Sequence, residues 1–579
     1  MDRIKPYLEK IILGALCVLA LLVYVRNIPL MKMPCMLNDE IGYWSVGAYF
    51  SGTDWTSVAS SVMYYSYGYG LILAPLFHIF DNAVMMYRTA LLINAVMLTA
   101  ALPMAYSVGR RIFPSANRFV VMLSCFAAMM YPSVIVQGNV AWSETLLTFM
   151  VWLIFYCVSA FDENRRIWLF LLGGFAAAFT YVVHQRTLGI VFACILAVLC
   201  MTVTKKIKLR QFFAFVGVFI AILTAHSFIK PLVIENAYLG AASLGANDYS
   251  GQFGKIKLLF TADGIKSFIV IFAGQFFYLG AASLLTAFVA GVTSVHEGFS
   301  AVKKTVAKIF RKSEEKLSDR EQTMLFLAVA CVATVFISSL FHIEATRWDQ
   351  LVYGRYNEVL IAPAIMTGLI TLFMCGKKIL IPTGISVLAL GGTGFVLHFA
   401  DRVFTPETFN MMCSVCFYDY YNNIGVSPLR IFLITLGIFA VLALMALAVK
   451  KIPVLAVIPA AAMSVAFFSY ADRMVYDVIR PVHDANYTAI NVVNFVEENR
   501  DGENVYFLRD GSFYVDRGKG FCQFLMKDTP LICVTPDGLD DCNGVIITMA
   551  NPDGEKLLEE NHEKIYAYNE YSVWEKQKG

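Results

Sequence analysis

Two adjacent carboxylates, Asp39 and Glu40, come shortly after the first apolar segment that is long enough to cross a membrane. An acidic pair at a membrane surface is well placed to accept the proton of a reacting group, so these residues are the first candidates for a general base. The alternative is a solvated acidic pair in a loop, since loop carboxylates are mostly exposed to water. If the two carboxylates lie close together, their titrations are coupled and their roles can be exchanged.

Two arginines are the strongest candidates for binding an anion. Arg186, with His184 beside it, lies in a short polar break between two apolar segments, and Arg355 precedes a later apolar segment. Guanidinium groups bind phosphate through charge-assisted, often bidentate hydrogen bonds. The alternatives are a side chain that extends to the lipid headgroups for Arg186 and a salt bridge to Glu358 or Asp349 for Arg355. For His184 the alternative is a structural role.

Several familiar binding motifs are missing from the sequence. It contains no G-x-G-x-x-G, no G-x-x-x-x-G-K-[ST] and no H-E-x-x-H pattern, so nucleotide binding and a zincin-type metal site are not expected. The Cys413-x-x-Cys416 pair has no histidine beside it, which makes it a weak zinc site and leaves a disulfide or a chance pair as the alternatives. We therefore expect no cofactor and no metal, although a divalent metal remains the minor alternative, and we expect no nucleic acid as a partner.

The composition places these residues in a membrane protein. Of 579 residues, 58% are apolar and only 15% are charged, with a net charge of +3 and a mean hydropathy of +0.62. A soluble protein carries about 25% charged residues. No small-residue cleavage site follows Ile11–Val25, so this segment is interpreted as a retained first span rather than a signal peptide.

The apolar segments predict about thirteen membrane spans, since a span needs roughly 17 to 25 apolar residues. The predicted cores are Ile11–Val25, Thr89–Val108, Phe119–Val136, Leu146–Phe161, Ile167–Val183, Leu188–Val203, Phe212–Ile229, Phe268–Val292, Met324–Phe341, Val359–Cys375, Ile379–Phe399, Ile431–Val449 and Ile452–Tyr470.

The distribution of lysine and arginine predicts the orientation of the spans. Alternate loops are basic and are expected to be cytoplasmic; they contain Arg110-Arg111, Arg165-Arg166, Lys205-Lys206, Lys303-Lys304, Arg311-Lys312, Lys377-Lys378 and Lys450-Lys451. An odd number of spans then places the amino terminus in the cytoplasm and the carboxy-terminal part outside the cell membrane. The acidic pair lies in the first outer loop, residues 27–88.

Two segments of the chain are not expected to cross the membrane. Tyr64–Phe80 is apolar but is interrupted by glycines and Pro75, so we interpret it as an interfacial or re-entrant piece of the outer loop. The composition becomes charged after Ala471, which divides a membrane domain (1–471) from a small α/β domain (472–579) on the outer face. In that domain the patterns predict helices at Ala489–Glu498 and Lys556–His562, strands at Asn504–Leu508 and Val545–Met549, and a hairpin at Ile565–Trp574.

Several different short motifs follow one another along the chain, and their order carries a resemblance to a known family. They are Asp39-Glu40, Tyr69-Gly70-Leu71 with Ala74-Pro75-Leu76, Arg88 with Asn94, Arg110-Arg111, Glu144, His184-Gln185-Arg186-Thr187-Leu188-Gly189, and Gly354-Arg355-Tyr356 before Pro363. Together with the spans and the outer domain, this order resembles the GT-C membrane glycosyltransferases, especially the protein-O-mannosyltransferase and aminoarabinose-transferase-like group. In that family the arginine is often followed by proline, whereas Thr187 follows Arg186 here.

The resemblance implies a function and roles for the matching residues. It implies transfer of a sugar from a polyprenyl-phosphate donor to a hydroxyl acceptor outside the membrane, with inversion and with Asp39 as the base. Glu40 would orient the acceptor or support Asp39. The substrate-binding candidates, which share a place in the matching motifs, are Arg186, Arg355, Tyr356, His184, Glu144, Tyr69 and Arg88.

Some of these residues also have simpler explanations. Glu144 suits the amino terminus of a helix, and Arg88 suits an anchor at the membrane interface. Tyr69 and the tyrosines before it are typical of an interfacial belt, with stacking against a sugar as the alternative. At the level of the whole protein the alternatives are a transporter or lipid-sugar flippase, a membrane scaffold, and a polysaccharide polymerase or ligase. The chain shows no internal repeat of the kind that transporters often have.

Overall fold

The computed structural model describes residues 5–35, 37–240, 250–311, 314–375, 380–400, 427–500 and 502–577. The described chain is a bundle of helices that is followed by a small domain containing a sheet. The helices are α1 (Lys5–Val25), α2 (Leu37–Ser51), α3 (Thr56–Ala59), α4 (Gly70–Ile79), α5 (Ala83–Ile112), α6 (Arg118–Met129), α7 (Pro132–Gly138), α8 (Ser143–Ala160), α9 (Ile167–Val183), α10 (Leu188–Val203), α11 (Leu209–Ala237), α12 (Ala262–Ala282), α13 (Thr286–Ile309), α14 (Asp319–Phe341), α15 (Trp348–Leu351), α16 (Glu358–Cys375), α17 (Leu380–Ala400), α18 (Pro428–Lys451), α19 (Val457–Met474), α20 (Arg480–Asn486), α21 (Ala489–Asn499), α22 (Phe513–Met526) and α23 (Pro552–Leu558).

The bundle is built to span a membrane many times. Ten helical segments of the described chain are long and apolar enough to cross, and the bent pair α6 and α7 makes an eleventh if it counts as one span. Helices α9 and α16 coincide with two further predicted cores but are shorter. The multi-pass class is therefore confirmed, whereas the predicted number of thirteen spans is not.

One predicted span is broken in the structure. The core at Phe268–Val292 is divided into α12 and α13, and Leu284 and Leu285 between them have positive φ angles of 53° and 64°. The amide of Leu285 donates to the carbonyl of Gly280 at 2.7 Å, which is the six-to-one hydrogen bond that closes a helix end. The sequence does not show this break, because the apolar residues continue from α12 into α13.

Helix α2, which carries the acidic pair, lies close to the short helix α4. A Cβ atom on Gly70 would be 2.8 Å from the Val46 side chain, so the glycine permits this approach. With 10 residues and Pro75 inside it, α4 is too short to cross a membrane, as the interrupted sequence predicted.

The tyrosines before α4 do not form an interfacial belt. Tyr64, Tyr65, Tyr67 and Tyr69 are all buried inside the protein. The hydroxyl of Tyr67 lies 3.0 Å from a ring nitrogen of His226, and the hydroxyl of Tyr69 donates to Asn94. The prediction of a belt was wrong because packing against α2 and α11 takes these rings away from the lipid.

The carboxy-terminal domain contains a five-stranded sheet with the order β2-β1-β3-β5-β4. The strands are β1 (Asn504–Leu508), β2 (Leu531–Val534), β3 (Gly544–Met549), β4 (His562–Tyr568) and β5 (Tyr571–Lys576). Strand β1 is parallel to β2 and β3, and β5 is antiparallel to β3 and β4. The predicted strands, the helix at 489 and the hairpin are confirmed, although the predicted helix at Lys556–His562 begins and ends earlier. Helix α22 and strand β2 were not predicted.

This domain is joined closely to the bundle. The helical segment Pro453–Asn499 continues without interruption through the predicted boundary at residue 472. Helix α22 packs against α2, where the rings of Trp44 and Phe524 lie 5.2 Å apart and a Cβ atom on Gly520 would be 2.9 Å from Ile41. No disulfide joins the described cysteines, and Cys413 and Cys416 lie outside the described residues.

Candidate functional site

The two adjacent carboxylates of α2 have different surroundings. Glu40 is completely buried, and it accepts hydrogen bonds from the amide of Cys35 at 2.7 Å, the hydroxyl of Tyr87 at 2.7 Å and the amide of Ala141 at 2.9 Å. These bonds fix the start of α2 to α5 and to the segment before α8. The burial and the contacts of Glu40 fit the support of Asp39, which is one of its two predicted roles, and the other role, orienting the acceptor, stays a prediction.

Asp39 points to the other side and remains accessible. Its side chain is 23% exposed, and its Oδ2 lies 2.6 Å from the Nη2 of Arg355. The hydroxyl of Tyr65 donates to Oδ1 at 2.6 Å. Burial raises the pKa of Tyr65 well above its usual value and the Asp39 charge raises it further, so Tyr65 stays protonated and continues to donate.

Arg355 connects Asp39 to a second carboxylate. Its Nε donates to Oε1 of Glu144, which is fully buried. Burial alone would lower the pKa of Arg355, but the charges of Asp39 and Glu144 raise it well above its usual value, so the guanidinium keeps its charge. Its carbon Cζ lies 4.1 Å from the ring centre of Trp142, so the guanidinium is also held by a cation–π contact.

Glu144 also binds the second arginine of the site. The Nη2 of Arg186 donates to Oε1 of Glu144 at 2.9 Å, and Ser143 donates to Oε2 at 3.0 Å. Charges of opposite sign thus alternate along a row of side chains from Asp39 through Arg355 and Glu144 to Arg186. A buried carboxylate that binds two arginines does more than cap α8, which was the simpler explanation of Glu144.

An aromatic group lines the arginine end of this row. Arg186 lies with its Cζ 4.5 Å from the ring centre of Tyr356. His184 precedes the short 3-10 turn Gln185–Thr187, and its Nδ1 accepts from the amide of Arg186 at 3.4 Å. Burial lowers the pKa of His184 well below its usual value, as does the charge of Arg186. A neutral His184 therefore helps to hold the turn that carries Arg186.

The structure brings together six of the predicted residues and leaves three at other places. Asp39, Glu144, Arg355, Arg186, His184 and Tyr356 form the row and its aromatic border. Glu40 lies behind it. Tyr69 is buried under Tyr43, with ring centres 5.7 Å apart. Arg88 donates to the carbonyls of Pro29 at 2.5 Å and Met31 at 2.9 Å, so it holds the segment after α1, and its role as an anchor at the membrane interface stays a prediction.

Several members of the site were not predicted from the sequence. Tyr65 contacts Asp39 and Trp142 contacts Arg355 directly, and Tyr43 donates to Ser143 at 2.6 Å.

The two carboxylates that were the alternative partners of Arg355 bind other residues. Asp349 binds Arg347, and Glu358 accepts from residues that include Ser133 and Gln137.

The charged row does not assemble a metal site. Among the residues that the structure describes, no three side chains of histidine, cysteine, aspartate or glutamate come together as metal ligands. Both carboxylates of the row, the partly exposed Asp39 and the buried Glu144, pair with arginine. The predicted absence of a metal stays a prediction.

The architecture, a multi-pass bundle followed by a small α/β domain, is the GT-C fold, as the comparison with two solved structures shows. The crystal structure of ArnT from Cupriavidus metallidurans bound to undecaprenyl phosphate aligns with a TM-score of 0.52 at 11% identity, over 97% of each chain. The apo structure of the same protein aligns with a TM-score of 0.51 at 10% identity, again over 97% of each chain.

A third structure is less similar. The oligosaccharyltransferase AglB from Archaeoglobus fulgidus, in complex with an inhibitory peptide and a dolichol-phosphate, has a TM-score of 0.46 and 9% identity over 95% of this chain and 70% of the other. The sequence matches no family model and no curated protein. At these identities the comparison establishes the fold, and the function has to be argued from the site.

Proposed function

We propose that this protein transfers a sugar from a polyprenyl-phosphate donor to a hydroxyl acceptor, with Asp39 as the general base. The observation that carries the proposal is the position of Asp39. It is an accessible carboxylate at the end of a membrane bundle, held between a tyrosine hydroxyl and an arginine. The GT-C fold supports it, since ArnT of this fold has been crystallised with undecaprenyl phosphate.

The proposed reaction is a single displacement. The acceptor oxygen attacks the anomeric carbon of the sugar while the bond from that carbon to the phosphate oxygen breaks. Asp39 takes the hydroxyl proton, and the polyprenyl phosphate leaves with the bonding electrons. One displacement inverts the anomeric centre and needs no covalent sugar intermediate, in contrast to retaining enzymes that use two close carboxylates.

Arg355 would bring the donor phosphate next to the base. Its Nη2 lies 2.6 Å from Oδ2 of Asp39, so a phosphate that binds this guanidinium would lie beside the carboxylate that takes the proton. The pair would thus hold the leaving group and the base close together.

Glu144 would keep both arginines in place for the phosphate. It is buried and binds Arg355 and Arg186 through one oxygen atom, which aligns two guanidinium groups at the same point. Their fixed positive charge would stabilise the phosphate as it departs with two negative charges, which is electrostatic preorganisation. We therefore expect transfer to continue in the presence of a metal chelator.

An apolar cavity beside the site fits the lipid part of the donor. The cavity has a volume of about 420 Å³ and lies between α12, α13, α14, α16 and α17. Asn357, two positions after Arg355, lies at its wall, and the lining residues Val295, Val332 and Ile385 are exposed on the lipid-facing side of the bundle. An isoprenoid chain would enter from the membrane and place its phosphate near Arg355.

The experiment that tests this proposal identifies the lipid that purifies with the protein. Lipids extracted from the detergent-purified protein are analysed by mass spectrometry, beside those from an unrelated multi-pass protein purified from the same membranes. We expect enrichment of a polyprenyl phosphate or its sugar ester in the wild type and loss of this enrichment in Arg355→Ala. Equal amounts in the wild type and the unrelated protein would contradict the proposal.

A further inference from the structure

A second cavity lies at the opposite end of the bundle. It has a volume of about 360 Å³ and is lined by residues that include Arg111, Tyr156, Arg165, Arg166 and Trp168. Glu144 of the candidate site begins α8, whereas this cavity lies at the end of the same helix. Ala160, which lines the cavity, lies 16 residues after Glu144 along α8, which is about 24 Å at 1.5 Å per residue. The cavity is therefore distinct from the candidate site.

The cavity carries positive charge that the protein does not neutralise. The two acidic residues of the adjoining loop already have lysine partners, because Asp162 lies 3.1 Å from Lys206 and Glu163 lies 2.7 Å from Lys316. In the part of the chain that the structure describes, no carboxylate pairs with the three arginines of the cavity.

Arg111 is held so that it faces this space. Its guanidinium donates to the hydroxyl of Ser159 at 3.1 Å and to the carbonyl of Tyr156 at 3.3 Å. It also lies 4.8 Å from the ring centre of Tyr156. These contacts fix its position without cancelling its charge, so the cavity has one ordered guanidinium and two exposed ones from the neighbouring loop.

The surface that continues from the cavity is apolar. Trp168, Leu171 and Phe175 follow one another along one face of α9, and they are 51%, 39% and 38% exposed. A row of exposed apolar side chains on a membrane helix contacts lipid chains, and tryptophan is typical of the headgroup level. A charged cavity and an apolar row thus meet at Trp168, in the order in which a phospholipid presents its headgroup and its acyl chains.

We propose that this cavity binds the headgroup of an anionic phospholipid in the membrane leaflet opposite the candidate site. The arginines would hold the phosphate through charge-assisted hydrogen bonds, and the acyl chains would lie along the apolar row of α9. Basic pockets between membrane helices are typical binding places for anionic headgroups. A general preference for positive charge in cytoplasmic loops does not explain why arginines from two separate loops meet in one cavity.

The test measures phospholipid retention by native mass spectrometry. Wild type, Arg165→Gln with Arg166→Gln, and the control Lys205→Gln with Lys303→Gln are each released from nanodiscs of equal parts phosphatidylglycerol and phosphatidylcholine. The control removes the same charge from other exposed basic residues. We expect the arginine variant to retain about thirtyfold less phosphatidylglycerol, since each of the two basic residues near an anionic lipid contributes about 1 kcal/mol, and the control to resemble the wild type.

Two outcomes would overturn the proposal. Equal retention of phosphatidylglycerol in the wild type and the arginine variant would show that the cavity does not bind the lipid. Binding of millimolar inorganic phosphate by the purified wild type, but not by the arginine variant, without retention of phosphatidylglycerol would show that the cavity binds a soluble anion instead. Thermal unfolding of each variant, followed by tryptophan fluorescence, confirms that a loss of lipid does not come from a loss of fold.

Discussion

Asp39 and Glu40 are neighbours in the chain, but only the side chain of Asp39 is accessible. Glu40 is enclosed and its oxygens are occupied by donors from three segments, while Asp39 is partly exposed and has a tyrosine and an arginine as partners. This difference favours Asp39 over Glu40 as the base, and the assignment stays a prediction. The proposed chemistry depends on Asp39.

Replacing Asp39 by asparagine keeps the size of the side chain and removes the base. We expect Asp39→Asn to insert and fold normally but to lose about 10²- to 10⁴-fold in turnover, which is the usual contribution of a positioned base. Turnover in proteoliposomes and thermal unfolding measure the two effects. Asp54→Asn is the matched control, because Asp54 lies in the same loop region but is exposed and bonds only to Thr56 among the described residues. Full turnover in Asp39→Asn would remove Asp39 from the reaction.

The two arginines are expected to act on the donor. Arg355→Ala and Arg186→Ala each remove a fixed charge from the row, so we expect each to raise the donor concentration needed for half-maximal turnover by about tenfold or more, since a hydrogen bond to a charged group contributes about 1.5 to 3 kcal/mol. Donor titration measures this, with Arg473→Ala, an exposed arginine in the last turn of α19, as the control. Donor dependence equal to that of the control would assign both arginines to structure alone.

The sequence predicted the members of this row better than their arrangement. Asp39, Arg186 and Arg355 stood out because ionisable residues beside apolar segments are costly and conspicuous. Glu144 was expected to cap a helix or to bind the substrate, and Tyr65 to lie at the membrane interface or to stack against a sugar. Their real partners are distant in the chain, and nothing in a single sequence shows which helix ends meet.

At the scale of elements, α2 determines the geometry of the site. Gly42 lies on the face of α2 that meets Tyr65, and a Cβ atom there would be 2.1 Å from the Tyr65 ring. This contact leaves no space for a side chain at position 42. Because Gly42 has no side chain, Tyr65 can reach Asp39 from the segment before α4.

Gly42→Ala should therefore reduce activity even though alanine favours helices. The added methyl group displaces the Tyr65 ring, and we expect turnover to fall about tenfold, as for the loss of one hydrogen bond to a charged group. Tyr65→Phe should give a similar loss by removing the same hydrogen bond. Gly217→Ala in α11 is the control, since nothing lies within 4 Å of its added atom. Unchanged turnover in Gly42→Ala would separate Tyr65 from the chemistry.

Helices and strands were predicted well where they coincide with an apolar run. They were predicted poorly where glycine packing or the backbone conformation determines the structure. The strands β1 and β3 stood out as apolar runs in a charged region. Helix α22 was missed because its buried face includes Gly518 and Gly520, whose close approach to neighbours replaces the usual apolar side chains. The break between α12 and α13 was missed because the residues around it, including Leu284 and Leu285, remain apolar and only their backbone changes.

At the scale of the whole molecule, the candidate site and the carboxy-terminal domain lie at the same end of the bundle, and the basic cavity lies at the other. The Lys/Arg distribution predicts that the first end is outside the cell. We expect an impermeant maleimide polymer to label Ser512→Cys in intact cells and to label Lys303→Cys only after the membrane is opened. The mass shift is read relative to the parent protein, which accounts for its own cysteines. The reverse pattern would contradict the orientation.

The measurement that tests the central proposal most directly is sugar transfer by the purified protein in proteoliposomes. Lipid-linked sugars extracted from the native membranes serve as donors, a cell-envelope extract serves as acceptor, and the release of polyprenyl phosphate is followed by mass spectrometry. We predict release by the wild type with chelator present and without ATP, a loss of at least about 10²-fold in Asp39→Asn, and no transfer from nucleotide sugars alone. Transfer from a nucleotide sugar without a lipid carrier, or equal release by wild type and Asp39→Asn, would contradict the proposal.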